Sequence, residues 1–224
     1  MIYFYFPIKD TTIYEEDTSK NTGKDEILEL IKHTSGSSRR ADGSVYSETF
    51  NTRILMQFNY ADLSASIGDG TIPAFSTGSS TSASAYLTCH VSREEAITDL
   101  ETINVLPISM SGGNSWTEGL GREHNLNESG LAVAEQGASW TNSKLETSQT
   151  WGMLKDGTQN NNWATNSGGG TWHANDALSG SQDLTSTSGD VSIDITNGVG
   201  SHLDEVMLND GWMVKRTDDG ETNS

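Results

Sequence analysis

The apolar residues of this chain fall in short runs of period two, separated by clusters of Gly, Ser, Asn and Asp. That is the pattern of half-buried strands joined by turns. Ile2 to Phe6 alternates aromatic and aliphatic groups, stops at Pro7 and resumes at Thr11 to Tyr14, which predicts a first strand interrupted near the proline. Glu26 to Lys32 predicts a second strand, its apolar run tighter than strict alternation. Arg53 to Phe58 predicts a third, with Ile54, Met56 and Phe58 on one face. Asp62 to Ile67, with a capping residue before it and Gly68 to stop it, predicts one or two helical turns. Ala85 to Val91 and Ile103 to Ile108 predict a hairpin pair. Val191 to Ile195, a helical turn around Val199 to Met207, and a strand from Trp212 to Lys215 complete the periodic segments.

About seven short strands at turn-punctuated spacing, with no internal repeat, predict an all-β fold: a single antiparallel β-sandwich domain over residues 1–224. Its core should take Ile54, Met56 and Phe58 together with Leu87, Val105, Ile193 and Ile195. The stretch 112–188 breaks the pattern, because five of the six tryptophans (Trp116, Trp140, Trp151, Trp163, Trp172) lie there in Gly/Asn/Ser-rich sequence. A structureless loop of that length does not suit a compact domain. It is expected to be an ordered excursion inserted in the sandwich and pinned by its own rings, at least three of the five buried.

Composition narrows the function classes. Asp and Glu number 31 against 13 Lys and Arg, a net charge of −18. Nucleic acid and anionic membrane surfaces are therefore excluded as partners, since both are bound through clustered cations and Arg39-Arg40 is the only basic pair of interest. No apolar window approaches the ~18 residues of a membrane span. The opening MIYFYFPIKD lacks the basic start of a signal peptide. One cysteine, Cys89, excludes an internal disulfide framework and a Cys-rich zinc site. Synthesis in the cytosol is expected.

Catalytic patterns are absent. There is no Gly-x-Ser-x-Gly elbow; adjacent Cys89 and His90 point to opposite sides of a strand; and Glu15-Glu16 and Glu94-Glu95 read as solvated surface. The five histidines show no ligand spacing for a transition metal. The chain is read as a non-enzyme. The one cofactor considered is a structural calcium ion, because oxygen-rich loops suit a hard cation. Its candidate ligands are Asp10, Asp17 and Asn21 around the first turn, and Asp190 near the last strands. A sugar site is the second candidate, since apolar C–H faces stack on Trp while amides take hydroxyls. Trp163 with Asn161, and Trp172 with His173 and Asn175, offer both elements. The competing role for these rings is the core of a segment that lacks aliphatic residues.

The run Lys9-Asp10-Thr11-Thr12-Ile13-Tyr14, then Glu26 to Leu30, then Arg53-Ile54-Leu55-Met56-Gln57-Phe58 before Asp62-Leu63, resembles the DNRLRE-type jelly-roll domain, with Asn59 where that family usually has Asp. Ala85 to Val91, the turn Ser115-Trp116-Thr117-Glu118-Gly119, and Val191 to Thr196 with Leu203 match its later signatures in order. Ser115 to Arg122 and Gly211 to Arg216 further resemble virion structural proteins of tailed phages that infect marine cyanobacteria. The resemblance implies a jelly-roll-like fold and a component of tail, collar or head, made in the host cytoplasm and located in the virion. It would act by contacts with other virion proteins or with copies of itself, with attachment to a host-surface glycan as an added role. The alternative is a carbohydrate-binding module. In proteins of this type another strand usually follows the one matching Trp212–Arg216, so the resemblance also implies either that the chain is cut from a longer polypeptide or that this strand stands at an open sheet edge filled by a neighbouring subunit.

Overall fold

A computed structural model describes residues 2–34, 38–39, 45–46, 49–75, 83–91, 101–108, 110, 115–122, 136–151, 169–173, 176–184 and 190–217. In chain order the strands are β1 (Lys9–Tyr14), β2 (Lys32–Thr34), β3 (Ser38–Arg39), β4 (Val45–Tyr46), β5 (Thr49–Gln57), β6 (Tyr86–Cys89), β7 (Glu101–Pro107), β8 (Asn142–Lys144), β9 (Gln149–Thr150), β10 (Gly180–Leu184), β11 (Val191–Asp194) and β12 (Trp212–Arg216). The helices are α1 (Ala61–Gly68) and α2 (Thr196–Leu203). The chain is thus β-rich, and its strand pairs are antiparallel.

The main sheet has six strands, ordered β1-β5-β12-β7-β10, with β2 also pairing to β5. Three two-stranded sheets accompany it: β6 with β11, β3 with β4, and β8 with β9. Alternation along the central strands sends side chains to opposite faces, and both faces are buried. Ile54, Met56, Ile103, Val105, Trp212 and Val214 share one core with Leu87, Val191 and Ile193 of the small sheet, Leu63 of α1, and Ile195 and Val199 at the start of and within α2. The residues between them, Leu55, Leu106 and Met213, form a second core with Ile13, Ile108, Met110, Ala138 and Trp116, Trp140, Trp151 and Trp172. Each fully buried aliphatic side chain contributes roughly 1.5–3 kcal/mol, so the two faces together dominate the stability of the sheet.

Of the residues expected in the core, Ile54, Met56, Leu87, Val105, Ile193 and Ile195 are buried and Phe58 packs at its margin. All four described tryptophans of the 112–188 stretch are buried; Trp163 lies outside the described residues. They cover the second face of the main sheet, and β10, which also falls in that stretch, is a strand of the main sheet itself. Its sequence, Gly-Ser-Gln-Asp-Leu, has a single apolar residue, so backbone pairing with β7 rather than side-chain periodicity makes it a strand.

Four other expectations are corrected. The strand from Trp212 is central, hydrogen-bonded to β5 on one side and β7 on the other, and not at an open edge. The segments at 85–91 and 103–108 do not form a hairpin: β6 pairs with β11 and β7 with β12 and β10. Residues 26–31 are not a strand, because hydroxyls replace the ladder there. Thr12 Oγ1 accepts from the Glu29 N–H, and Thr52 Oγ1 accepts from the Ile31 N–H while donating to the Glu29 carbonyl. Finally, Ile2 to Phe6 is not part of the first strand, which begins at Lys9.

Candidate functional site

The polar residues of the first turn converge on the Ser115–Gly119 turn. Asn21 is buried there with every hydrogen-bonding position used. Its Nδ2 donates to the Glu118 carbonyl at 2.7 Å and the Ala138 carbonyl at 2.8 Å, and its Oδ1 accepts from the Gly23 and Gly121 N–H groups. Glycine is required around it: Gly119 and Gly137 have positive φ, and a Cβ on either would lie within 2.6 Å of the Asn21 amide. Asp10 adjoins this knot, its backbone N–H donating to Glu118 Oε1 at 3.2 Å. The Asp10 carboxyl is pushed above its ordinary range by burial and then by the Glu118 charge, partly offset by Lys24. Glu118 Oε2 in turn pairs with Lys24 Nζ at 2.7 Å.

Two of the four proposed calcium ligands, Asp10 and Asn21, are therefore brought together, but not as a cation cage. An amide whose Oδ1 already accepts two N–H groups and whose Nδ2 donates to two carbonyls offers no lone pair to a metal. Asp17 lies apart, its carboxylate accepting from the N–H and hydroxyl of Ser19. Asp190 belongs to the small-sheet layer, where it meets His90 Nδ1 at 2.6 Å on the surface. Among the described residues no group of three or more Asp, Glu, His or Cys could hold a metal ion.

Lys9 Nζ donates to Ser115 Oγ at 3.1 Å and to the Trp116 carbonyl, and lies 4.2 Å from the Trp116 ring centroid. Burial pulls this ammonium down to about 8, with Asp210 opposing. A serine beside an amine is the pairing used in Ser–Lys hydrolysis. Here the Trp116 carbonyl and ring face also engage the nitrogen. No sequence signal links the two, which are 106 positions apart.

The tryptophans bind cations from the chain itself. The buried Arg53 guanidinium lies 4.6 Å from the Trp140 ring centroid and 5.0 Å from that of Trp172, and donates to the Gly169 carbonyl at 2.6 Å. Lys215 Nζ, also buried, lies 5.2 Å from the Trp172 ring. Trp172 is therefore an internal platform closed to a sugar, and its neighbour His173 is half-buried with its backbone N–H donating to the Pro107 carbonyl. The remaining sugar-site candidates, Asn161, Trp163 and Asn175, lie outside the described residues.

The exposed feature that stands out is apolar. Ile2, Phe4, Phe6 and Ile8 are 80%, 80%, 82% and 61% exposed, while Tyr5 between them packs against the first core. Tyr3 is 41% exposed as well, so the open apolar surface runs unbroken from Ile2 to Phe4 and resumes at Phe6 and Ile8. The alternation was visible in the sequence, but it reads there as a strand facing its own core. Among the described residues no helix is long and apolar enough to cross a membrane.

No family model, curated protein or solved structure matches the chain.

Proposed function

We infer that this chain is a jelly-roll-like structural component of a phage particle, a part of tail, collar or head that acts through protein–protein contacts and performs no chemistry. The observation that carries the reading is the apolar strip Ile2, Phe4, Phe6 and Ile8, open on a molecule of net charge −18. Contiguous exposed apolar surface of this kind marks an interaction site, whereas scattered single residues do not. The resemblance of its segments, in order, to the DNRLRE-type domain and to phage virion proteins suggests the setting. Burial of Trp172 against Arg53 and Lys215 takes one of the two candidate stacking rings away from a glycan-binding reading.

The test is the composition of purified particles. Mass spectrometry should find the chain in virions at the copy number of a structural protein, and a glycan array probed with the isolated chain should stay blank. Absence from the particle, or selective binding to one polysaccharide class, would overturn the reading.

A further inference from the structure

We propose that protonation of His202 in mild acid releases the last turn of α2 from the main sheet and opens the first core, so that this layer of the fold is an acid-sensitive switch. The inference does not depend on the chain's place in a particle.

Packing is the main force that holds α2 in place. Its eight residues, Thr-Asn-Gly-Val-Gly-Ser-His-Leu, include two glycines and, Leu203 apart, no strong helix former. No side chain caps its start, and isolated helices below ~12–15 residues are marginal in water. The first turn is tied down, because Thr196 Oγ1 accepts from the Ala85 N–H at 2.9 Å and Asn197 Nδ2 donates to the Ala177 carbonyl at 3.0 Å. The last turn depends on what it buries, His202 and part of Leu203.

His202 occupies an uncharged aromatic corner. Trp212 of β12 stands 5.3 Å from it, centroid to centroid, and Tyr60 at the start of α1 stands 6.0 Å away. Among the described residues neither ring nitrogen has a hydrogen-bond partner, so a second proton finds no acceptor. The titratable groups around the ring supply no counter-charge. Tyr60, which burial raises to about 12, stays neutral. Asp62 on α1, and Asp204 and Glu205 just beyond α2, are exposed. Burial is the one cause acting on the imidazole, and it lowers the pKa from 6.5 to about 4. The Trp212 face attracts an imidazolium, but the lost hydration outweighs that attraction. Peeling back Gly200 to Leu203 returns the ring to water, so acid favours the open form and pH above 6.5 the closed one. The effect stays local. Strand β12 keeps its ladders to β5 and β7, and the second core contains no residue of α2.

With the imidazole at 6.5 when open and about 4 when closed, the opening equilibrium should grow ~30-fold between pH 8 and pH 5. Hydrogen exchange on the full chain, corrected for the intrinsic rate at each pH, reads this directly. The Asp204 amide, bonded to the Gly200 carbonyl at 2.9 Å, should lose ~30-fold of its protection at pH 5. Its exchange should be indifferent to low urea, since a local opening exposes little surface. The amides of Leu55 and Val214 in the central strands should instead exchange with the full urea dependence of global unfolding. In His202→Leu the protection of Asp204 should be the same at both pH values. Gly200→Ala, whose Cβ would meet Phe75 at an ordinary 3.6 Å, should strengthen protection ~5-fold at both pH values and leave their ratio unchanged. An Asp204 amide that ignores pH, or that exchanges only when the whole chain unfolds, would overturn the proposal. So would a pH ratio that survives in His202→Leu.

Discussion

Individual buried polar residues carry unequal shares of this fold. His202 is buried on α2 against Trp212, with ring centroids 5.3 Å apart, and against Tyr60 at 6.0 Å. Among the described residues neither of its nitrogens has a hydrogen-bond partner, and burial lowers its pKa from 6.5 to about 4. The folded state therefore keeps His202 neutral where the unfolded chain would protonate it. Its contribution is intact above pH 6.5, is lost as the pH falls from 6.5 to 4, and levels off below; the difference corresponds to about 3 kcal/mol. Unfolding free energies from urea titrations across this range for the wild type and for His202→Leu should diverge by that amount as the pH falls; parallel curves would show that the imidazole is not protected. Asn21 is the opposite case, a fully satisfied amide. Asn21→Ala strands two carbonyls and two N–H groups and should cost about 3–5 kcal/mol, measurable by thermal or urea unfolding. A loss below 1 kcal/mol would mean that water replaces the side chain.

At the level of elements, β12 and α2 lock to each other through a missing side chain. A Cβ on Gly198 would lie 2.3 Å from Cη2 of Trp212, a ring whose Nε1 donates to the Tyr60 hydroxyl at 2.9 Å. Gly198→Ala should therefore destabilise by about 1–3 kcal/mol and perturb the near-ultraviolet signal of the tryptophans. Legibility in the sequence follows the same physics. Strands whose side chains alternate between core and solvent, such as Val191–Asp194, and the helix at Ala61–Gly68 were readable from periodicity. Gly180–Leu184, held by backbone pairing, had no periodic signal to read, whereas the apolar run at 26–31 suggested a strand where hydroxyls take the backbone bonds instead. Strand β12 buries Trp212, Met213, Val214 and Lys215 in succession, the mark of a strand covered on both faces; the resemblance pointed instead to an edge. The candidate sites fared likewise. Asp10, Asn21 and Lys24 come together on Glu118, which lies 94 positions beyond Lys24 and which no local motif joins to them.

For the molecule as a whole, a −18 body folded around two cores should gain stability from electrolyte. Adding about 0.5 M sodium chloride should raise the denaturation midpoint by relieving self-repulsion; a fall would mean that ion pairs such as Lys24–Glu118 outweigh it. The order of the main sheet has a further consequence, for biogenesis. During synthesis β1 and β5 can associate early, and β7 and β10 later, yet the strand that joins the two pairs is the last of the twelve to leave the ribosome. Until residue 216 has emerged, β5 and β7 each present an unsatisfied edge with no native neighbour. The nascent polypeptide should then be protease-sensitive, with the sheet closing only when β12 joins the two pairs. Ribosome-stalled chains ending before Gly211 should be degraded as unstructured polypeptide, and those that expose Arg216 should become resistant in one step.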